Sequence, residues 1–157
     1  KLISNAKNIL ELGSSPGGWS QVILELNEKA LIYAFDLLEM KFNHPNLIFH
    51  KEDFINFKYS KLNLKFDLIL SDIAPNTTGH KSTDHLKISS IIEDIIIVLN
   101  KISLTGSSFV FKIWKGTEEE KIVKSLKKIY KKVSYFKPKS SRNESSEIFI
   151  VAQNYLN

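Results

Sequence analysis

The sequence NILELGSSPGGWSQVILELNE, residues 8–28, places a short apolar strand, a glycine-rich turn and a helix in direct succession. Residues 8–13 predict the strand and residues 20–28 predict the helix. The small side chains of the turn let the backbone come close to a ligand in front of the helix. The turn matches neither G-x-G-x-x-G nor a P-loop, but its proline and tryptophan make it distinctive. The candidate cofactor turn therefore contains Gly13, Pro16, Gly17, Gly18 and Trp19.

Strands and helices continue to alternate along the rest of the chain. Apolar runs predict further strands at residues 30–36, 46–53, 66–72, 107–114, 133–138 and 147–153. Apolar residues at helical spacing predict helices at 84–101 and 118–133. This order predicts one α/β domain, residues 1–157, with a mostly parallel seven-stranded sheet. The last strand is expected to be antiparallel, because only KSSRNESS separates it from the strand before it.

The composition excludes several kinds of chemistry. The chain has no cysteine, which excludes disulfides, thiolate zinc sites and cysteine nucleophiles. Its four histidines form no ligand pattern, so no metal is expected. No apolar run approaches the ~20 residues of a membrane helix, so no membrane partner is expected. The net charge of +5 favours a polyanionic partner, although a solvated, lysine-rich surface explains it equally well.

Three predicted strands each end at an aspartate, namely Asp36, Asp53 and Asp72. Parallel sheets bind ligands at the carboxyl ends of their strands, and an acid there can accept hydrogen bonds from ribose hydroxyls. A single aspartate at such a place is often only a helix cap. Three in consecutive units, combined with the glycine turn, favour a cofactor that contains a nucleoside.

Lys112 is unusual because it lies inside an apolar strand, between Phe111 and Ile113. One explanation is that its stem is buried and its ammonium group reaches solvent. A buried ammonium without a partner is costly, so a carboxylate partner is expected. The acids at the strand ends are candidates, and so is Glu147. A lysine among acids at this edge of the sheet predicts a functional site.

Five stretches of the sequence together resemble one known family. They are LELGSSPGGWSQ, AFDLLEM, DLILSDIAPNTTG, GSSFVFKIWKG and KPKSSRNESSEIFIVA, in the family's order between residues 8 and 152. The family is the FtsJ/RrmJ family of S-adenosylmethionine-dependent RNA ribose 2′-O-methyltransferases. The resemblance implies a Rossmann-like class I methyltransferase fold with S-adenosylmethionine as the cofactor. Glu11 departs from the pattern, because the family has aspartate there.

The resemblance also implies roles for individual residues. It assigns the S-adenosylmethionine site to Gly13, Pro16, Gly17, Gly18, Trp19, Asp36, Leu37, Asp53 and Asp72. It implies a catalytic set of two lysines, an aspartate and a glutamate, of which Lys112, Asp72 and Glu147 match three members. Lys1 is the candidate for the remaining lysine, although its spacing from the glycine turn is several residues short. The arginines that precede this lysine in the family are missing, so the N-terminal RNA-binding segment is either shortened or incomplete.

The implied substrate is a uridine of large-subunit ribosomal RNA, because the short chain and the SDIAPN motif are similar to the bacterial members with that activity. Ribosomal RNA within the large subunit is the implied partner of a cytoplasmic monomer, with the mitochondrial matrix as the alternative compartment. The alternative functions are 2′-O-methylation of transfer RNA and non-catalytic RNA binding. Base methylation is disfavoured, because DIAPN lacks the [DNS]-P-P-[YFW] pattern and carbon-5 attack needs a cysteine. Lys112 either removes the hydroxyl proton or orients the oxygen as a cation.

Overall fold

The computed structural model describes residues 1–73, 80–138 and 147–156. The strands are β1 (Asn8–Leu12), β2 (Leu31–Phe35), β3 (Leu47–His50), β4 (Phe66–Ser71), β5 (Ser103–Trp114), β6 (Tyr130–Phe136) and β7 (Glu147–Tyr155). The helices are α1 (Leu2–Asn5), α2 (Gly18–Leu26), α3 (Lys81–Ile102) and α4 (Thr117–Ile129), with a short 3₁₀ helix at Tyr59–Leu62. Strands and α-helices therefore alternate from β4 to α4, whereas β2 and β3 follow each other without a helix and a 3₁₀ helix separates β3 from β4.

The seven strands form one sheet in the order β3-β2-β1-β4-β5-β7-β6. Strands β1 to β5 are parallel to one another, and β7 runs antiparallel to both β5 and β6. The predicted fold class, with its antiparallel last strand, is confirmed. The strand order reverses between β1 and β4, which is where such sheets bind ligands.

Both faces of the sheet are covered, because successive side chains of a strand point to opposite sides. On one face, Leu10 and Leu12 of β1 join a large core that includes the apolar sides of α3 and α4. On the other face, Ile9 joins a smaller core with Ile23 and Leu24 of α2. The central strands are thus apolar on both sides, as buried parallel strands are.

The boundary between α4 and β6 differs from the prediction. Residues 130–133 were predicted to continue the helix, but they are the first residues of β6. Tyr130 pairs with Tyr155 of β7 and is buried, whereas Lys131 and Lys132 are exposed. Pairing with β7 therefore overrides the helical sequence pattern at residues 130–133. The strand β5 also begins earlier than predicted, at Ser103, with a register shift against β4 near its start.

Candidate active site

The turn after β1 begins at Gly13, whose backbone packs tightly against the end of β4. Its φ of +76° lies in the left-handed region, and its N–H donates to the Phe35 carbonyl at 2.9 Å. A Cβ atom at Gly13 would lie 2.9 Å from the backbone nitrogen of Ile73. Glycine is thus required here by both conformation and space. This packing brings the turn next to Asp72, whose own N–H donates to the Leu12 carbonyl at 3.0 Å.

Gly17 and Gly18 connect the turn to α2. Gly17 is the N-cap, with a φ of +114°, and a Cβ atom there would lie 2.5 Å from Cβ of Phe42. Gly18 begins α2, and a Cβ atom there would meet no heavy atom within 4 Å. The backbone at the start of α2 is therefore open to a ligand at Gly18. Pro16 is exposed, and its carbonyl accepts a hydrogen bond from the Lys41 N–H at 3.1 Å.

Asp36 follows β2 and ties its strand end to the glycine turn. Its Oδ2 accepts a hydrogen bond from the Ser15 N–H at 2.8 Å, and its Oδ1 accepts one from the Leu38 N–H at 2.9 Å. A carboxylate offers about four acceptor positions, so two bonds leave capacity for ribose hydroxyls. The next residue, Leu37, is exposed and lies beside this carboxylate in sequence.

Asp72 and Lys112 form an ion pair at the carboxyl edge of the sheet. Asp72 follows β4 and Lys112 lies in the neighbouring β5, so the parallel register places the two side by side. Lys112 Nζ lies 2.7 Å from Asp72 Oδ1, and the lysine side chain is only 16% exposed. The expectation that Lys112 has a carboxylate partner is confirmed. The ammonium group is thereby held beside the glycine turn.

Glu147 lies on the same face of the sheet as Lys112, one diagonal position away. Lys112 is opposite Phe149 in the antiparallel register, and Trp114 is opposite Glu147. The Trp114 Nε1–H donates to Glu147 Oε1 at 3.4 Å. Trp19 of α2 reaches the same face, where its ring lies 5.8 Å from that of Phe149. The structure thus brings Trp19 and Glu147 to the neighbourhood of Lys112.

Asp53 and Lys1 have surroundings of a different kind. Asp53 Oδ1 accepts from the Ile55 N–H at 3.0 Å, and its Oδ2 accepts from Asn56 Nδ2 at 3.2 Å, so its carboxylate caps a local turn. Lys1 is exposed and precedes α1. The carbonyls of Ile3 and Ala6 accept hydrogen bonds from Asn27, which follows the C-terminal end of α2. The helix α1, which Lys1 precedes, therefore adjoins the end of α2 that is remote from the glycine turn.

Glu11 was not predicted as a site residue, yet it is an acid at the centre of the sheet. It is 1% exposed in β1, and the Ser20 Oγ–H donates to its Oε2 at 2.5 Å. Burial raises the pKa of the Glu11 carboxyl to about 7 despite that hydrogen bond, and the charges of Asp72 and Asp36 raise it further. The sequence contains a signal for Glu11, because a charged residue inside an apolar stretch is also the feature that identified Lys112 as a candidate.

The residues around the turn fit S-adenosylmethionine. Its sulfonium and ammonium groups are cationic, and the carboxylates of Asp36 and Asp72 flank the turn. The buried Ser14 hydroxyl has no hydrogen-bond partner within the described part of the chain, and Gly18 leaves its backbone open.

In residues 1–73, 80–138 and 147–156 there is no group of three His, Asp or Glu side chains that could hold a metal ion. No helix among these same residues is long and apolar enough to cross a membrane.

A separate groove of about 880 Å³ lies at the start of β4 and β5. Tyr59, Leu64, Lys65 and Lys101 are among its lining residues. Lys112 is nine residues from the start of β5, which corresponds to roughly 30 Å of extended strand. The groove is therefore distinct from the candidate active site.

Comparison with known proteins gives consistent matches over nearly the whole chain. Residues 1–155 match the model of the FtsJ-like methyltransferase family. Two bacterial proteins named ribosomal RNA large subunit methyltransferase E are each 38% identical to the chain. The match covers 98% of the chain and 72% of the Zymomonas mobilis protein, and 100% of the chain and 81% of the Anaplasma marginale protein. A crystal structure from Plasmodium falciparum, described as a ribosomal RNA methyltransferase, is 31% identical with a TM-score of 0.82, and the match covers 96% of the chain and 87% of that protein.

Proposed function

Because the chain belongs to the FtsJ-like methyltransferase family, it is a methyltransferase that uses S-adenosylmethionine, and we propose that it methylates a ribose 2′-hydroxyl in large-subunit ribosomal RNA. The nucleotide that we propose is a uridine. The observation that carries the proposal is the ion pair of Lys112 with Asp72 beside the glycine turn. The named relatives support ribosomal RNA as the substrate class. We further propose that the active form is a cytoplasmic monomer acting on the large subunit.

The residues of the turn and the strand ends bind the cofactor in this proposal. Asp36 accepts hydrogen bonds from the ribose hydroxyls of the cofactor, and the open backbone at Gly18 lets the cofactor pack against the start of α2. Leu37 and Trp19 cover apolar parts of the cofactor. Asp72 balances its positive charge. When bound, S-adenosylmethionine supplies an electrophilic methyl group on a sulfonium. The contribution of the protein is to hold the 2′-oxygen in line with that group, so positioning supplies much of the rate.

Lys112 and Asp72 act on the 2′-hydroxyl. The ammonium group of Lys112 is fixed by Asp72 and donates a hydrogen bond that orients the 2′-oxygen. During the attack of the 2′-oxygen, its hydroxyl proton would pass to a carboxylate oxygen of Asp72 and on to solvent, because the ammonium group of Lys112 is already fully protonated and can only donate.

Glu147 is the third member of the proposed catalytic set, and its place on the face of Lys112 supports this role. Asp53 is proposed to support the cofactor site through the turn that it caps. The role of Lys1 stays a prediction, since α1 contacts the end of α2 remote from the glycine turn.

The catalytic role of Lys112 is tested by the substitution Lys112→Ala. We expect methyl transfer to fall about 10²- to 10⁴-fold, which is the usual contribution of a positioned acid–base group. The affinity for S-adenosylhomocysteine, measured by calorimetry, should change little. Lys115→Ala is the matched control, because Lys115 is exposed just beyond the same strand and should retain activity. Near-normal turnover of Lys112→Ala contradicts the proposal.

The substrate is tested with large ribosomal subunits, free ribosomal RNA and transfer RNA, each offered with labelled S-adenosylmethionine. We expect label in large-subunit RNA, on the 2′-oxygen of a uridine. The phosphodiester bond that follows this uridine should then resist alkaline cleavage. Label only in transfer RNA supports the alternative substrate. Absence of methyl transfer to all three, with cofactor binding intact, supports the non-catalytic RNA-binding module.

A further inference from the structure

Three aromatic side chains, here called the aromatic row, lie on the sheet face that carries Lys112. They are Trp19, Phe149 and Phe136. Phe149 of β7 is opposite Lys112 of β5 on one side and opposite Phe136 of β6 on the other. Directly opposite residues of antiparallel strands point to the same face. Trp19 contacts this row from α2, with its ring centroid 5.8 Å from that of Phe149.

The row begins at the candidate active site and leads away from it. Neighbouring strands lie ~4.8 Å apart, so Phe136 is roughly 10 Å from Lys112 across two strands. In a stacked strand successive nucleotides rise ~3.4 Å along the axis, so that span corresponds to about three nucleotide steps. A strand that presents a ribose to Lys112 therefore brings a nucleotide about three positions away within reach of Phe136.

Phe136 is the exposed end of the row. It is 56% exposed, whereas Trp19 and Phe149 are partly buried. Lys132, four residues earlier on the same strand face, is also exposed. Exposed aromatic rings next to cationic side chains are the surface that unpaired nucleotides recognise, because every base has a face that can stack.

We propose that Phe136 stacks on the base of an unpaired nucleotide about three positions from the methylated one. The inference rests on the proposed function, since it takes RNA as the substrate. Lys132 contacts a phosphate of the same segment, and Trp19 and Phe149 form the inner part of the platform. The recognition is tolerant of base identity, because stacking reads the ring and not its edge.

The inference is tested with Phe136→Leu, which keeps apolar volume and removes the ring. The probe is a short, uridine-centred RNA with 2-aminopurine at one flanking position at a time, bound in the presence of S-adenosylhomocysteine. We expect the wild-type chain to quench one flanking position and Phe136→Leu to lose that quenching. The affinity for RNA should fall roughly 5- to 150-fold, the range for loss of one stacked base. Phe136→Trp should restore both signals.

The salt dependence of binding separates stacking from charge. Phe136→Leu should leave the slope of log affinity against log salt unchanged, because it removes no phosphate contact. Lys132→Ala should make the slope shallower by about 0.7. Tyr135→Ala is the matched control, because Tyr135 is 53% exposed on the same strand but points to the opposite face.

Two results would overturn the inference. One is equal RNA affinity for Phe136→Leu and the wild type, and a lowered melting temperature of Phe136→Leu in that case would assign Phe136 to a protein contact. The other is an equal loss of affinity in Tyr135→Ala. Quenching and affinity are measured without methyl transfer, so the inference and the proposed function can fail separately.

Discussion

Two charged side chains, Glu11 and Lys112, lie inside apolar stretches of their strands, and each is stabilised differently. Lys112 in β5 reaches the carboxylate of Asp72 across the sheet edge. Glu11 in β1 accepts hydrogen bonds from the hydroxyl and the backbone of Ser20, and two further carboxylates lie nearby. Removing a charge from water is costly unless an opposite charge compensates. The lysine is therefore held as half of an ion pair, whereas the protonated form of the glutamate is favoured.

Glu11 is expected to make folding stability depend on pH. Burial raises its pKa from 4.5 to about 7, so the native state holds its proton more tightly than the unfolded chain does. This contribution to stability is fully present below pH 4.5 and is lost as the pH rises through 7. Integrated over that window, it amounts to roughly 3 kcal/mol of unfolding free energy. Urea denaturation at several pH values between 4.5 and 8 measures it.

Glu11→Gln isolates the contribution of Glu11 to the pH dependence. The amide has nearly the same shape and no charge, so the difference between variant and wild type should grow in favour of the variant as the pH rises. The same pH dependence in both proteins would show that Glu11 does not titrate in this range. Glu11→Asp tests whether the length of the side chain matters, because the carboxyl group of the shorter aspartate lies farther from the Ser20 hydroxyl.

At the scale of the element, the turn between β1 and α2 has two glycines with different requirements. Gly17→Ala puts a Cβ atom 2.5 Å from Phe42 Cβ at a φ of +114°, so it should lower the free energy of unfolding by roughly 1–3 kcal/mol. Gly18→Ala meets no atom within 4 Å and should change stability by less than about 0.5 kcal/mol. Thermal denaturation of both variants measures the contrast.

The same pair tests the place of the cofactor. If the cofactor packs against the backbone of Gly18, the added methyl group should weaken S-adenosylhomocysteine binding roughly 5- to 150-fold, in the range of overpacking a close contact. Unchanged affinity of Gly18→Ala would move the cofactor away from the start of α2. Gly17→Ala cannot answer this question, since it disturbs the turn itself.

The success of prediction from sequence depends on how local each element is. β1, the glycine turn and α2 were predictable, because apolar spacing and glycines act within a few residues. The start of β6 was not, because Tyr130 becomes a strand residue only through its partner in β7, 25 residues along the chain. The Lys112–Asp72 ion pair was predictable, because the carboxyl ends of neighbouring parallel strands meet at one edge of the sheet. The hydrogen bond between Glu11 and Ser20 was not, because it depends on which helix covers β1.

At the scale of the whole molecule, the two edges of the sheet have different roles. The carboxyl edge carries the glycine turn, Asp36 and the Lys112–Asp72 pair. The opposite edge carries α1 and the groove at the start of β4 and β5. A ligand at the carboxyl edge should therefore slow local motions there and leave the opposite edge unaffected.

Amide hydrogen exchange with and without S-adenosylhomocysteine measures this difference. At a ligand concentration about 100 times Kd, amides of residues 13–18 and 36–38 that exchange only from the free state should slow about 100-fold. Amides of residues 58–65 that open locally should exchange at the same rate with and without ligand, because no part of the candidate cofactor site lies there. Asp36→Asn should reduce the protection, because it removes the charge of the carboxylate. That carboxylate accepts a hydrogen bond from the Ser15 N–H and, in our proposal, from the ribose hydroxyls of the cofactor. Protection confined to residues 58–65 would place the cofactor in the groove, and the catalytic role of Lys112 would then have no methyl donor within reach.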